Sequence, residues 1–362
     1  MKRTKESKTF EEFRNENESK VKELVTQKCN EVLSKNSLYK SLKIYFIISL
    51  VSGIIALILG IIFLLLVLQS AESFFILLMF VFFSGLLCVI FVLMFISKKK
   101  KMQSTISEAL NNAGIFDICL KTLGYRMLDS YSEKDAGAMS KNYKKWKSVP
   151  ILDWANYATG VGIIPSDANI SSASMPKFIN DEFNNSWWVQ QVIFHWVRRR
   201  TDKDGNVHYE NYYAPLFLCE GQYLNSHKDD INLTFSLGSR CDLNRKDKYN
   251  TELENKEFNK KFKLYTNNQI KTRMIYTPLS MELMLKHFKQ SQYCGVRNFG
   301  MNYDALTVRS WFQPKNNVME IDFPKIQFSK SSIINYVTND VIRDTYAVYW
   351  VFSFMTIPPY FI

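Results

Sequence analysis

The stretch IYFIISLVSGIIALILGIIFLLLVL, residues 44–68, contains no charged side chain, and neither does FFILLMFVFFSGLLCVIFVLMFI, residues 74–96. At about 1.5 Å per residue the first makes a helix somewhat longer than the roughly 30 Å hydrocarbon core of a bilayer, and the second matches that core. Each is therefore expected to span a membrane, the first with a tilt. Gln69-Ser70-Ala71-Glu72-Ser73 is long enough only to turn two antiparallel helices and carries no Lys or Arg. A buried hairpin of a soluble protein would need partners for two helices that are apolar all round.

Working outward, Lys35, Lys40 and Lys43 precede the first span and Lys98, Lys99, Lys100 and Lys101 follow the second. The positive-inside rule then places both termini in the cytosol of a multi-pass protein of the cell membrane. Of the formal net charge of +12, +4 falls on residues 1–43 and +4 on Lys98–Lys101. Topology and anionic lipid therefore account for most of the basic character, and a nucleic-acid partner loses its support. The four lysines are candidate lipid contacts as well as a topology signal. Neither span holds Asp, Glu, Lys, Arg or His, so no proton or ion pathway of ionisable groups is expected within them. Ser49, Gly53, Ala56 and Gly60 form a stripe of small residues that suits close helix packing, within the hairpin or between copies.

The charged first 43 residues leave no room for a secretory signal, and six scattered cysteines without a CxxC point to a reducing compartment. Val21, Leu24, Val25, Cys29, Val32 and Leu33 recur at three and four between Phe10 and Leu33, predicting an amphipathic helix opened by a Thr9/Glu12 capping box. Such an arm packs on the chain's own cytosolic domain, self-associates or contacts headgroups. The expected organisation is a helical arm (1–43), a transmembrane hairpin (44–97), a basic juxtamembrane linker (98–103) and a cytosolic α+β domain (104–362), with an antiparallel sheet and flanking helices.

In that last part Ser104–Leu128 reads as helix interrupted at Gly114 and Gly124, Ser130–Tyr143 as loop, and Val149–Asn180 as irregular chain with short elements. Trp187–Arg198 and Val207–Cys219 read as strands of a hairpin turned at Asp204-Gly205. A two-residue turn there sets 195 opposite 214 and 208 opposite 201, so His195 and His208 do not meet. Arg198, Arg199 and Arg200 end the strand, either as a solvated strand end opposite Glu210 or as an anion contact for phosphate or a headgroup. Leu253–Tyr265 alternates like a strand, and Asn267-Asn268 turns the chain. Thr277-Pro278 opens a helix with the stripe Met281, Met284, Leu285 and Phe288. Phe299–Trp311 and Val318–Phe323 read as strands, and Ser331–Met355 as a long final helix whose apolar end, 347–362, is core or interface and not a third span.

The run Glu257-Phe258-Asn259-Lys260-Lys261-Phe262, followed by Thr277-Pro278 with its Met/Leu helix and then by Phe299–Val308, resembles the bacterial family catalogued as domain of unknown function 3137. The resemblance covers most of the chain and is most specific between Leu253 and Leu285. It implies an amphipathic N-terminal region, a two-span hairpin and a cytosolic domain, and it brings no catalytic residues with it.

The residues themselves offer no catalytic set. Gly160-Val161-Gly162 and Gly295–Gly300 fail as phosphate loops, and GxSxG and HExxH are absent. Asp202–Asn206 resembles the start of a calcium loop, but Gly falls at position 4 and Tyr213 at position 12. Four histidines without a matching cysteine pair give no zinc site. His287 and Cys294 read as a surface His and a buried Cys. No cofactor or metal is expected. The function expected is a non-enzymatic, membrane-anchored interaction module that binds a protein partner, itself or a lipid headgroup at the inner leaflet. The alternatives are an enzyme acting on a membrane-proximal substrate and an accessory subunit of a transporter.

Overall fold

Thr9 opens the first helix as its spacing to Glu12 predicts: the Glu12 amide donates to Thr9 Oγ1 at 3.3 Å, and the Thr9 amide to Glu12 Oε2 at 2.8 Å. The structure is a computed structural model that describes residues 6–35, 38–68, 74–128, 164–174, 176–182, 185–222, 232–237, 251–304, 307–324 and 329–358. The turn at 69–73, the loop Ser130–Tyr143 and Cys241 lie outside these residues.

The described helices are α1 (Phe10–Lys35), α2 (Leu38–Leu68), α3 (Phe74–Asn112), α4 (Ile115–Lys121), α5 (Lys256–Lys261), α6 (Gln269–Ile275), α7 (Pro278–Phe288), α8 (Ser291–Cys294) and α9 (Lys330–Thr356). The strands are β1 (Arg126–Met127), β2 (Asn169–Ala173), β3 (Lys177–Asn180), β4 (Ser186–Thr201), β5 (Val207–Gln222), β6 (Asn232–Leu237), β7 (Phe262–Thr266), β8 (Val296–Asp304) and β9 (Thr307–Pro314). They form one antiparallel sheet in the order β1-β3-β4-β5-β9-β8-β6-β7, with β2 paired to β4. The protein is thus α+β. Two of its helices are long and apolar enough to cross a membrane.

The chain divides into two compact units. One comprises residues 1–21, 116–322 and 337–362, and the other 22–115 and 323–336. In the first, alternation along β4 supplies both faces of the sheet. Trp188, Val192 and Phe194 face one way, into a cluster with Ile164, Phe178, Ala214, Leu216, Leu218 and Trp311. Trp187 faces the other way and stacks on Phe352 of α9 at 4.9 Å. Helix α9 covers that face with Trp350 and Phe354, which meet Phe299 at 5.5 and 5.2 Å. Ala347–Phe352 and Phe354–Met355 are buried, so the apolar end of the final helix is core. Each aromatic pair adds roughly 0.5–1.5 kcal/mol beyond the apolar area it buries. Two cross-strand glycines make room for the indoles: a Cβ on Gly221 would lie 2.2 Å from the Trp187 ring, and one on Gly300 2.3 Å from Trp311.

Several expectations change here. Leu253–Tyr265 is not one strand. Asn255 caps a turn of helix, accepting from the Phe258 amide, and only Phe262–Thr266 extends. Phe258 and Phe262, four apart and both buried, satisfy a helical face as well as they mimic alternation. Phe299–Trp311 is likewise two strands, β8 and β9, joined as a hairpin. Val318–Phe323 is irregular chain instead of a strand, for a reason that lies in its buried hydrogen-bond partners. Helix α7 begins as expected, with Thr277 Oγ1 accepting from the Ser280 amide and Pro278 at its first position.

In the second unit α2 and α3 pack against each other. Tyr45 meets Phe91 at 6.3 Å and Phe46 meets Phe95 at 5.6 Å, while Cys88 Sγ donates to the Ser49 carbonyl at 3.5 Å. The Ser49–Gly53 end of the small-residue stripe is thus used within the hairpin, whereas a Cβ on Gly60 would touch nothing within 4 Å.

Candidate functional site

Lys98–Lys101 lie inside α3, which continues unbroken from Phe74 to Asn112. At 100° per residue, four consecutive lysines ring the helix and do not form a face. The ring marks a change in the helix. Val92, Leu93, Met94 and Ile96 before it are exposed, whereas Met102, Ile106 and Leu110 after it form a buried stripe at spacings of four. Leu42 and Ile44 show the same change across Lys43 in α2.

Arg198–Arg200 are exposed near the end of β4. Strand β4 is paired to β2 only as far as His195, and β5 to β9 only from Phe217. Residues 196–201 and 207–212 therefore form a two-stranded ribbon with no further strand on either edge among the described residues, about 20 Å long for six residues. Its turn differs from the two-residue reading. The Gly205 amide donates to the Asp202 carbonyl at 3.2 Å, Gly205 has φ +85°, and Thr201 pairs with Val207. This is a type I turn with a glycine bulge, which takes up one more residue and shifts the register by one. His195 then stands opposite Tyr213, with ring centroids 4.8 Å apart, and donates to Asn211 Oδ1 at 2.9 Å. His208 lies 3.0 Å from Asp202 instead, so the two histidines have separate partners.

The faces of the ribbon differ in character. On one, Arg198 holds Asp167 through two contacts at 2.7 and 3.2 Å and keeps that carboxyl below its usual range. Arg200 pairs with Glu210 at 3.0 Å and donates to the Tyr212 hydroxyl, and Tyr212 stacks on Trp196 at 5.8 Å. On the other face Val197, Val207, Tyr209 and Tyr213 are exposed around Arg199, with Tyr209 at 69% and Tyr213 at 61%. Among the described residues no ion pair involves Arg199, so of the three arginines it is the one left for an external anion.

A second cluster, not singled out from sequence, lies where α9 meets the chain after β9. Asp340 and Asp344, one turn apart and buried, flank Arg343, which bonds Asp340 and lies 3.5 Å from Asp344. Their remaining oxygens accept backbone amides, Asp344 from Met319 at 3.0 Å and Asp340 from Asp322 at 2.8 Å. Gln191 of β4 accepts from the Val318 amide and donates to Asn317, both at 2.8 Å. These side chains supply the partners that a strand at 318–323 would have found in a sheet, which is why the segment is irregular. Burial raises both aspartates, Asp340 to about 7, and Asp344 is raised further by its neighbour. Lys177 is lowered to about 8 by burial, offset by Glu320 and Asp344, and its amine lies 4.7 Å from the Phe116 ring. The signal was two carboxylates at i and i+4 on the same stretch as the buried Val337 and Val341.

His287 is buried, contrary to the surface reading, and burial lowers it to about 4. Its Nε2 faces the Trp350 carbonyl at 3.0 Å and must donate, which leaves Nδ1 to accept from Ser7 Oγ at 2.8 Å. Tyr349 accepts from the Lys8 amide at 2.8 Å, and Tyr346 donates to its carbonyl at 2.9 Å. The histidine thus seats the start of the chain on α7 and α9.

Among the described residues no group of three or more His, Cys, Asp or Glu is placed to hold a metal ion. No curated protein and no solved structure matches the chain. A family model does match, over residues 228–334, and that range contains the motifs Glu257–Phe262 and Thr277-Pro278 and ends within α9. That part of the chain is similar to the family described as protein of unknown function (DUF3137).

Proposed function

We propose that the protein is a multi-pass component of the cell membrane with both termini in the cytosol, whose α+β domain is a non-enzymatic interaction module for a protein partner. Anchoring is supported by the two apolar helices and by the lysines that flank them, Lys35, Lys40 and Lys43 before the first and Lys98–Lys101 after the second. The observation that carries the binding role is the exposed face of the β4–β5 ribbon, where Tyr209, Tyr213, Val197 and Val207 surround Arg199, an arginine with no ion pair among the described residues. Tyrosine and arginine are the side chains that dominate interface energetics. The perturbed carboxylates and Lys177 are the feature that favours an enzyme, but the aspartate oxygens are spent on the backbone of residues 318–322. An accessory role beside a transporter is one form the partner could take.

A photoreactive side chain at position 209, activated in native membranes, tests the reading. The expected outcome is one discrete adduct that Tyr213→Ser with Arg199→Ser abolishes while the fold is retained. No adduct, or an adduct indifferent to those substitutions, refutes it.

A further inference from the structure

Helix α6 exposes what a small helix packed on a sheet domain ordinarily hides. Asn268 opens it by accepting from the Lys271 amide at 3.0 Å, and Thr272 and Ile275 bury its inner side. Ile270 and Met274, one turn apart, point the opposite way and are 76% and 65% exposed. Leu279, at the start of α7, adds a third apolar side chain at 55%. Around this pair Lys271 and Arg273 lie about 80° to either side on the helix circumference. The wider stretch 256–289 carries eight lysines and arginines against two glutamates. Arg273 also bonds Glu254 at 2.9 Å, and Lys286 pairs with Glu6, yet Lys256, Lys260 and Lys261 add exposed positive charge.

We infer that the α6 face is a docking site for an anionic phospholipid surface, in which Ile270, Met274 and Leu279 enter the acyl boundary and the flanking basic residues meet the headgroups. Flexible aliphatic side chains between basic shoulders are the composition of helices that lie in a bilayer interface. A protein hot spot is typically built on Trp, Tyr or Arg at its centre, and this face has an aliphatic centre. The stretch's surplus of positive charge complements an anionic leaflet. The inference deepens the proposed function and rests on it for strength, because two spans hold the domain at high effective concentration near lipid and a weak contact then suffices.

The test uses the full chain in nanodiscs of phosphatidylcholine alone and of phosphatidylcholine with phosphatidylglycerol, reading amide hydrogen exchange across residues 267–280. Exchange is expected to be roughly tenfold slower with the anionic lipid, to recover in high salt, and to lose the difference in the pair Ile270→Gln with Met274→Gln. Both positions are exposed, so the pair leaves the core intact. Equal exchange in the two lipids overturns the inference, and so does slowing that survives the glutamine pair. Flotation with vesicles separates this from the anchoring reading. A chain that does not float refutes the anchor, and its exchange when mixed with the same vesicles still reads the α6 contact.

Discussion

Arg343 is the cation on which a buried acidic pair depends, and replacing it by methionine keeps most of the volume while removing the charge. Asp340 and Asp344 have side chains 1% and 2% exposed, and Arg343 bonds one and lies 3.5 Å from the other. At that separation and an effective dielectric of about 20, each attraction is on the order of 5 kcal/mol before desolvation is subtracted. Removing one partner of a buried ionic group costs about 3–5 kcal/mol net. The cost depends on pH in a defined direction. Burial raises both carboxyls above the ordinary range in the folded protein, so the folded state binds more protons than the unfolded chain between about pH 4 and the raised values. Stability from this pair is therefore present at acid pH and lost as pH rises through about 7. A protonated carboxyl still accepts the Met319 and Asp322 amides but no longer needs the cation. Arg343→Met should thus lose about 3–5 kcal/mol near pH 8 and only about 1 kcal/mol near pH 5. Denaturant unfolding of the purified chain in detergent, followed by near-ultraviolet circular dichroism at both pH values, measures this. A loss of the same size at both, or one below about 1 kcal/mol near pH 8, refutes the account.

Gly300→Ala should destabilise by about 1–3 kcal/mol, because its Cβ would lie 2.3 Å from Trp311, and in a Trp311→Leu background, itself less stable, the same glycine change should cost little further in a thermal melt. By contrast Gly85→Ala, where a Cβ meets nothing within 4 Å, should leave the melt unchanged or slightly raised. Membrane-impermeant thiol reagent applied to intact cells should label a cysteine introduced by Ser70→Cys and should not label Cys241; labelling of Cys241 would overturn the cytosolic assignment. Replacing Lys98–Lys101 by Gln, with Lys35, Lys40 and Lys43 retained, should preserve insertion and remove any dependence of exchange at residues 102–112 on lipid charge. If the parent shows no such dependence, the lysine ring acts in topology alone.

The features legible in sequence are those set within a few residues of chain. Residues 44–68 and 74–96 are uncharged apolar runs long enough to cross a membrane, and both are helical. Thr9 with Glu12 and Thr277 with Pro278 cap helices through contacts three residues apart, so their spacing is itself the geometry. Tertiary structure decided the rest. One bulge residue at Gly205 changed which side chains oppose each other along the whole ribbon, because register is counted from the turn. The helix at 256–261 replaced a strand because Phe258 and Phe262 are both buried from one helical face, a matter of what packs on them. His287 became a buried acceptor for Ser7, 280 residues away, and Asp340 and Asp344 became anchors for residues 318–322. Ile270 and Met274 are large apolar side chains that lie outside the core in the fold. Burial and long-range hydrogen bonding depend on elements that sequence spacing does not place together, so the charged and aromatic sites emerged only once the sheet and α9 had assembled around them.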